Sequence, residues 1–258
     1  MKRYLVLAAL AIAAVAGLTS VSSTTASANG TGTLNIVHGI PGAVVDVCAR
    51  GPATDGEWAA IIEDFEFGDI RTFDLPAGSY DANVVGQDAA CDSPLLPGLG
   101  ASGVVLPEGA NASVIAHLPE SGALADAKLT VGVNDLSAPG SHKSRLTVYH
   151  TAAAPAVDIR AGRWLPVKKL FKNVSNGQSG DVEVREGRYK VSVLAAGSKW
   201  WKPVTTERVS LGDDTNTVIY AVGSLADGTF RLVPQVIDTE ESESKSKKPW
   251  GWWRGGDD

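Results

Sequence analysis

The sequence predicts an all-β chain folded as two tandem β-sandwiches, and three observations predict it. Short runs of alternating or β-branched residues, such as Leu34–Val37 and Tyr80–Val85, recur along the chain between turn residues. The 258 residues include 28 Gly and 13 Pro but 1 Met, a balance that favours turns and strands over long helices. A strand-loop-strand motif near the start returns in the second half. With 44% hydrophobic and 20% charged residues, the chain can build packed cores and is too weakly charged for wholesale disorder.

The first residues read as an export signal. Lys2 and Arg3 precede an apolar run from Tyr4 to Leu18, and Ala26-Ser27-Ala28 offers a small-residue cleavage site. The run is short for a membrane span. A signal peptide over 1–28, a secreted or cell-surface location and a mature chain with no transmembrane segment are therefore expected.

The two halves repeat. Leu34–His38 followed by Val44–Val47 matches Leu146–His150 followed by Ala156–Ile159 at a constant offset of 112 residues. Gly78-Ser79-Tyr80 matches Gly187-Arg188-Tyr189. Ser113-Val114-Ile115 is set against Thr217-Val218-Ile219, and Leu124–Asp126 against Leu225–Asp227. Matches in the same order imply duplication of one domain. The expected units are residues 29–136 and 143–238, joined by a linker at 137–142 and followed by a disordered tail at 239–258.

Strands are expected at Leu34–Val37, Val44–Val47, Tyr80–Val85, Ser113–Ala116 and Leu129–Val133 in the first copy. In the second they are expected at Leu146–Tyr149, Asp181–Arg185, Tyr189–Leu194, Thr217–Ala221 and Phe230–Val236. Pro76-Ala77-Gly78 and Glu186-Gly187 read as hairpin turns. About seven short strands per copy point to an immunoglobulin-like β-sandwich, and Tyr80 and Tyr189 stand where a tyrosine corner would.

His38, the loop, Asp46 and the Pro-Ala-Gly-Ser-Tyr turn, with their counterparts at His150, Asp158 and Tyr189, resemble the domain-of-unknown-function 4397 family. The likeness spans roughly Thr33 to Asp238. It implies an immunoglobulin-like fold in an exported bacterial protein, often in tandem, and implies no reaction.

Charge divides the chain. Residues 29–135 carry 15 acids and 3 bases, whereas residues 143–238 carry 9 acids and 14 bases. Two explanations follow: the copies attract each other, or the basic copy meets an anionic partner. Overall acidity and export argue against nucleic acid.

Candidate sites follow from residue chemistry. Cys48 and Cys91 are the only cysteines and read as a disulfide in an oxidising compartment. The repeated pairs His38/Asp46 and His150/Asp158 could orient a catalytic base, but no nucleophile motif accompanies them. They read instead as a structural corner. Glu57, Glu63, Asp64, Glu66 and Asp69 form an acidic run without a calcium-loop order, interleaved by Ile61, Ile62, Phe65 and Phe67. Lys199-Trp200-Trp201-Lys202 and the tail residues Trp250, Trp252 and Trp253 suit contact with a ligand, a membrane surface or a protein partner. The function expected is a non-catalytic binding or structural module at the bacterial cell surface, with no cofactor and with an anionic envelope polymer among its partners. An extracellular hydrolase and a calcium-dependent adhesion module are the alternatives.

Overall fold

The computed structural model describes residues 30–163, 167–199 and 202–240. The expected signal peptide, Trp200 and Trp201, and the tail with Trp250, Trp252 and Trp253 lie outside the described residues.

Among the described residues each copy has eight strands. The first comprises β1 (Thr31–His38), β2 (Val45–Arg50), β3 (Ala59–Phe65), β4 (Ile70–Pro76), β5 (Gly78–Gly86), β6 (Gly100–Leu106), β7 (Asn111–His117) and β8 (Lys128–Asn134). The second comprises β9 (Lys143–His150), β10 (Val157–Gly162), β11 (Lys168–Val174), β12 (Gln178–Arg185), β13 (Gly187–Ala195), β14 (Thr205–Leu211), β15 (Thr215–Val222) and β16 (Arg231–Asp238). Each copy is a sandwich of two four-stranded sheets. The first copy has β4-β1-β7-β8 over β3-β2-β5-β6, and the second has β12-β9-β15-β16 over β11-β10-β13-β14. The strand order is the same in both. The architecture is the immunoglobulin-like two-layer sandwich, with the opening strand running parallel to the seventh.

Alternation explains the two cores. Ile36, Val45, Val47, Ile62, Phe65 and Val84 pack between the sheets of the first copy. Leu146, Val148, Ile159, Val191, Val193 and Ile219 do so in the second. Of the strands absent from the expected set, β3, β4, β6, β11 and β14 lie at sheet edges, while β10, visible only through its match to Val44–Val47, is central. Edge strands carry charge, Pro or Gly that discourages pairing with other chains, and those residues blur the period.

Two expectations are corrected. The turns at Pro76–Gly78 and Glu186-Gly187 are not hairpins. β4 and β5 belong to different sheets, as do β12 and β13, so each turn carries the chain across the sandwich. Tyr80 and Tyr189 close these crossings by donating their hydroxyls to the Pro76 carbonyl (2.7 Å) and the Arg185 carbonyl (2.8 Å). The acceptor is backbone, so Pro and Arg serve equally. The second correction is a one-residue slip. Leu34 pairs with Ala112, and its counterpart Leu146 pairs with Thr217, so Ser113 corresponds to Val218 and not to Thr217. A slip of one exchanges the two faces of a strand, and here both faces are buried.

The reason is the contact between copies. The sheets β4-β1-β7-β8 and β12-β9-β15-β16 pack face to face, burying Val37 and Ile115 against Tyr149, Val218, Tyr220 and Val222. The molecule is thus a four-layer block with β3-β2-β5-β6 and β11-β10-β13-β14 outermost. Neutral polar groups tie the seam. Ser113 Oγ and the Tyr220 hydroxyl lie 2.7 Å apart, Tyr149 donates to Asn134 Oδ1 (3.2 Å), and Gln235 donates to Asn35 Oδ1 (2.6 Å). Asn35 and Asn134 both donate to Asn111, so the buried amides satisfy one another, as a low-dielectric interior demands. The rings of Tyr149 and Tyr220 stack at 5.5 Å. Gly132 is needed here, because a Cβ would stand 2.2 Å from the Tyr149 hydroxyl.

Arg145 holds the connection between copies. It donates to the carbonyls of Asp135 (3.2 Å) and Ser137 (2.8 Å) and pairs with the Asp135 carboxylate. Arg231 of β16 also reaches the first copy, donating to the Phe67 carbonyl and lying over that ring.

Candidate functional site

The repeated His and Asp positions are engaged in closing turns. His38 Nε2 donates to the Ala43 carbonyl at 3.1 Å while its Nδ1 accepts from the Ile40 amide at 3.3 Å. That pattern requires the neutral imidazole. His150 Nε2 makes the corresponding bond to the Pro155 carbonyl at 3.1 Å. His117 donates from Nδ1 to the Leu118 carbonyl and accepts from Thr130 at Nε2 (2.8 and 2.7 Å). Burial pushes all three below the ordinary histidine value, His117 to about 4.

Asp46 accepts from the amides of Asp64 (3.0 Å) and Asp88 (2.9 Å). Asp158 accepts from the matching amides of Asn173 (3.0 Å) and Gly197 (3.4 Å). Those four residues all have positive φ, so each aspartate clamps two left-handed turns, where Asp, Asn and Gly are the tolerated residues. Burial would raise the Asp158 pKa, but Lys169 and the two amides outweigh it and hold the carboxyl below its usual range. The histidine closes one loop and the aspartate closes two others, which is not the relay that an acyl-transfer base needs.

The acidic run is divided by a β-bulge opposite β2, with Asp64 at positive φ, rather than by simple alternation. Ile62 and Phe65 are buried while Glu63 and Asp64 face outward. Among the described residues no group of three His, Cys, Asp or Glu side chains converges as a metal site. Cys48 and Cys91 are bonded, with Cα atoms 5.5 Å apart and a separation of 43 residues. The bond ties β2 to the long connection between β5 and β6. Asn83 reinforces it by donating to the Cys91 carbonyl (2.9 Å). Lys199 and Lys202 lie in the turn after β13, where the Lys202 amide donates to the Lys199 carbonyl (3.0 Å).

Basic groups gather on one surface. The strands β10, β11, β13 and β14 of the second copy's outer sheet carry seven bases (Arg160, Lys168, Lys169, Lys172, Arg188, Lys190, Arg208) and two acids (Asp158, Glu207). The equivalent strands of the first copy carry one base, Arg50, and four acids (Asp46, Glu63, Asp64, Asp81). Because Ile159, Ala161, Val191, Val193 and Val209 face the core, alternation sends Arg160, Arg188, Lys190 and Arg208 outward. An open cleft of about 470 Å³ lies among Arg163, Arg188, Tyr189, Lys190, Arg208, Val209 and Ser210. Gly187 shapes it: with φ 136° and a Cβ position 2.9 Å from Arg163, it leaves room for that guanidinium over the start of β13. The basic excess of the second half was legible in sequence; its convergence on one face needed the strand register.

The sequence matches the family described as "Domain of unknown function (DUF4397)" over residues 32–160. The match runs through the first copy and on through β9 into β10. No curated protein sequence matches it. Among solved structures, the chain is similar to the Bacillus anthracis TIE protein, at 11% identity, 74% of this chain, 33% of that one and a TM-score of 0.23. It is also similar to the family 26 carbohydrate-binding module CBMbc of Eubacterium rectale Amy13K, solved with maltoheptaose, at 12% identity, 81% of this chain, 98% of that one and a TM-score of 0.23. Likeness at that score fixes neither ligand nor activity. Among the described residues no helix is long and apolar enough to cross a membrane.

Proposed function

The chain belongs to the DUF4397 family, and from that premise we propose that it is a non-catalytic binding module working outside the cell. The observation that carries this reading is where its polar groups go. Three buried histidines and the two repeated aspartates are engaged in closing turns, whereas a set of exposed cations on the outer sheet of the second copy is left facing solvent. A four-layer block with an apolar seam tied by polar contacts is a rigid support for such a face. The disulfide supports residence in an oxidising compartment.

The test has two arms on the full exported chain. Co-sedimentation with isolated cell envelopes should retain the protein, and a panel of ester, peptide and glycoside substrates should show no turnover above buffer. Turnover that survives purification, or a protein left wholly in the supernatant, overturns the reading.

A further inference from the structure

We infer that the cleft on the outer sheet of the second copy is a binding site for a linear polyanion whose repeat carries phosphate. The inference deepens the binding-module reading and rests on it.

The first argument is a stability cost that the fold retains. Lys190 and Arg208 stand directly opposite each other on β13 and β14. Like charges at opposed positions destabilise a sheet. The ion pairs among the described residues go elsewhere, so Arg163, Arg188, Lys190 and Arg208 keep no carboxylate. In the first copy the position of Lys190 is held by Asp81, which pairs across the strand with Arg50. In the second copy the cross-strand position is Gly162. The neutralising partner is absent and an acid has become a base. Local rules are broken in this way mainly where function requires it.

The second argument is geometry. Arg188 and Lys190, two residues apart on one strand, are separated by about 7 Å. Lys190 and Arg208, opposed across the ladder, have Cα atoms about 5 Å apart. That places three cations within about 7 Å of their neighbours on one face, close enough to engage successive charges of one polymer. The cleft falls within the size range of ligand sites. Phosphate is the favoured group because its tetrahedral oxygens lie out of one plane and can meet cations standing on two neighbouring strands, whereas a carboxylate's oxygens share one plane suited to a single bidentate fork. A bilayer is disfavoured. The exposed large apolar residues among those described, including Val105, Val131, Val133 and Val236, lie on other strands, and surface binding to lipid relies on apolar insertion.

The experiment titrates the full chain with long-chain inorganic polyphosphate, and in parallel with polyglutamate and with anionic phospholipid vesicles. Wild type should bind polyphosphate, with a log–log salt slope of about −3 for the four cations. Arg188→Glu/Lys190→Glu/Arg208→Glu should weaken binding at least tenfold, while Lys128→Glu, an exposed charge on the first copy, should not. Arg208→Gln keeps the test decisive if the triple variant does not fold. It should raise the melting temperature by relieving the opposed pair and still weaken binding. Equal loss in Lys128→Glu, equal binding of polyglutamate, or capture by vesicles without capture by polyphosphate overturns the site. Envelope sedimentation separates the two proposals. A reversal variant that sediments like wild type removes this face and leaves the binding-module reading intact. A wild type that fails to sediment, yet loses polyphosphate on reversal, removes the module reading and leaves the site.

Discussion

The two outer sheets share one backbone plan and have opposite chemistry, whereas the two inner sheets differ in detail and share one role. On the first outer sheet, Cys48 is bonded to Cys91 and Asp81 is held by Arg50, Ser102 and the Gly103 amide. Those contacts hold the Asp81 carboxyl near a pKa of about 2. On the second, the matching positions are Arg160 and Lys190. The inner sheets have no such freedom, because each is the other's core: Val37, Ile115, Val218, Tyr220 and Val222 are fully buried at their seam. A duplicated domain packed back to back diverges where it faces water, and there one copy became a stapled acidic surface and the other a cationic one.

The comparison can be broken most severely at the seam. Val218→Asp places an unpaired charge between the copies, where a buried charge shifts its pKa or unfolds its surroundings. Loss of more than about 4 kcal/mol, or no folded protein, is expected, with both copies unfolding in one denaturant transition. Two separated transitions in the wild-type chain would show that the copies are independent.

The next effect belongs to the first copy alone. Replacing both Cys48 and Cys91 by Ala should lower stability by about 4 kcal/mol on the loop-entropy account. Hydrogen exchange should rise first in residues 87–99. Exchange rising equally in the second copy would mean that the bond acts beyond its own sheet.

The buried histidines give a pH dependence shared by both copies. Their folded pKa values lie below the unfolded value, so the unfolded chain binds more protons as pH falls, and stability is lost on acidification. For His117 the window runs from about 6.5 down to about 4, and its contribution approaches roughly 3 kcal/mol at the acid end. His117→Gln should flatten the fall in denaturation midpoint between pH 7 and 4; an unchanged profile would assign the effect to other groups.

The smallest effect compares like with like. Tyr80→Phe and Tyr189→Phe each remove one hydroxyl-to-carbonyl bond, and each should cost about 1 kcal/mol. A cost in one copy and none in the other would show that the corners are not equivalent.

Much of this was legible in the sequence and some was not, for physical reasons. The duplication, the all-β fold, the disulfide and the charge division follow from residues that speak locally. The edge strands were obscured because their protective charges, as in Lys168-Lys169-Leu170-Phe171-Lys172, mask the period of two. The seam was missed although a signal exists: Thr215–Val222 holds no charged residue on either face, the pattern of a strand buried on both sides. Cross-strand opposition of Lys190 and Arg208 depends on register, which residue order alone does not give.

The most direct measurement of the central claim is a lysine-acylation footprint of the full chain with and without inorganic polyphosphate. The account predicts protection of Lys190, which lines the cleft, with Lys128 on the first copy and Lys143 at the seam end unchanged. Protection of Lys128 equal to that of Lys190, or no protection of Lys190 at saturating polymer, would contradict the claim that the second outer sheet is where this molecule binds.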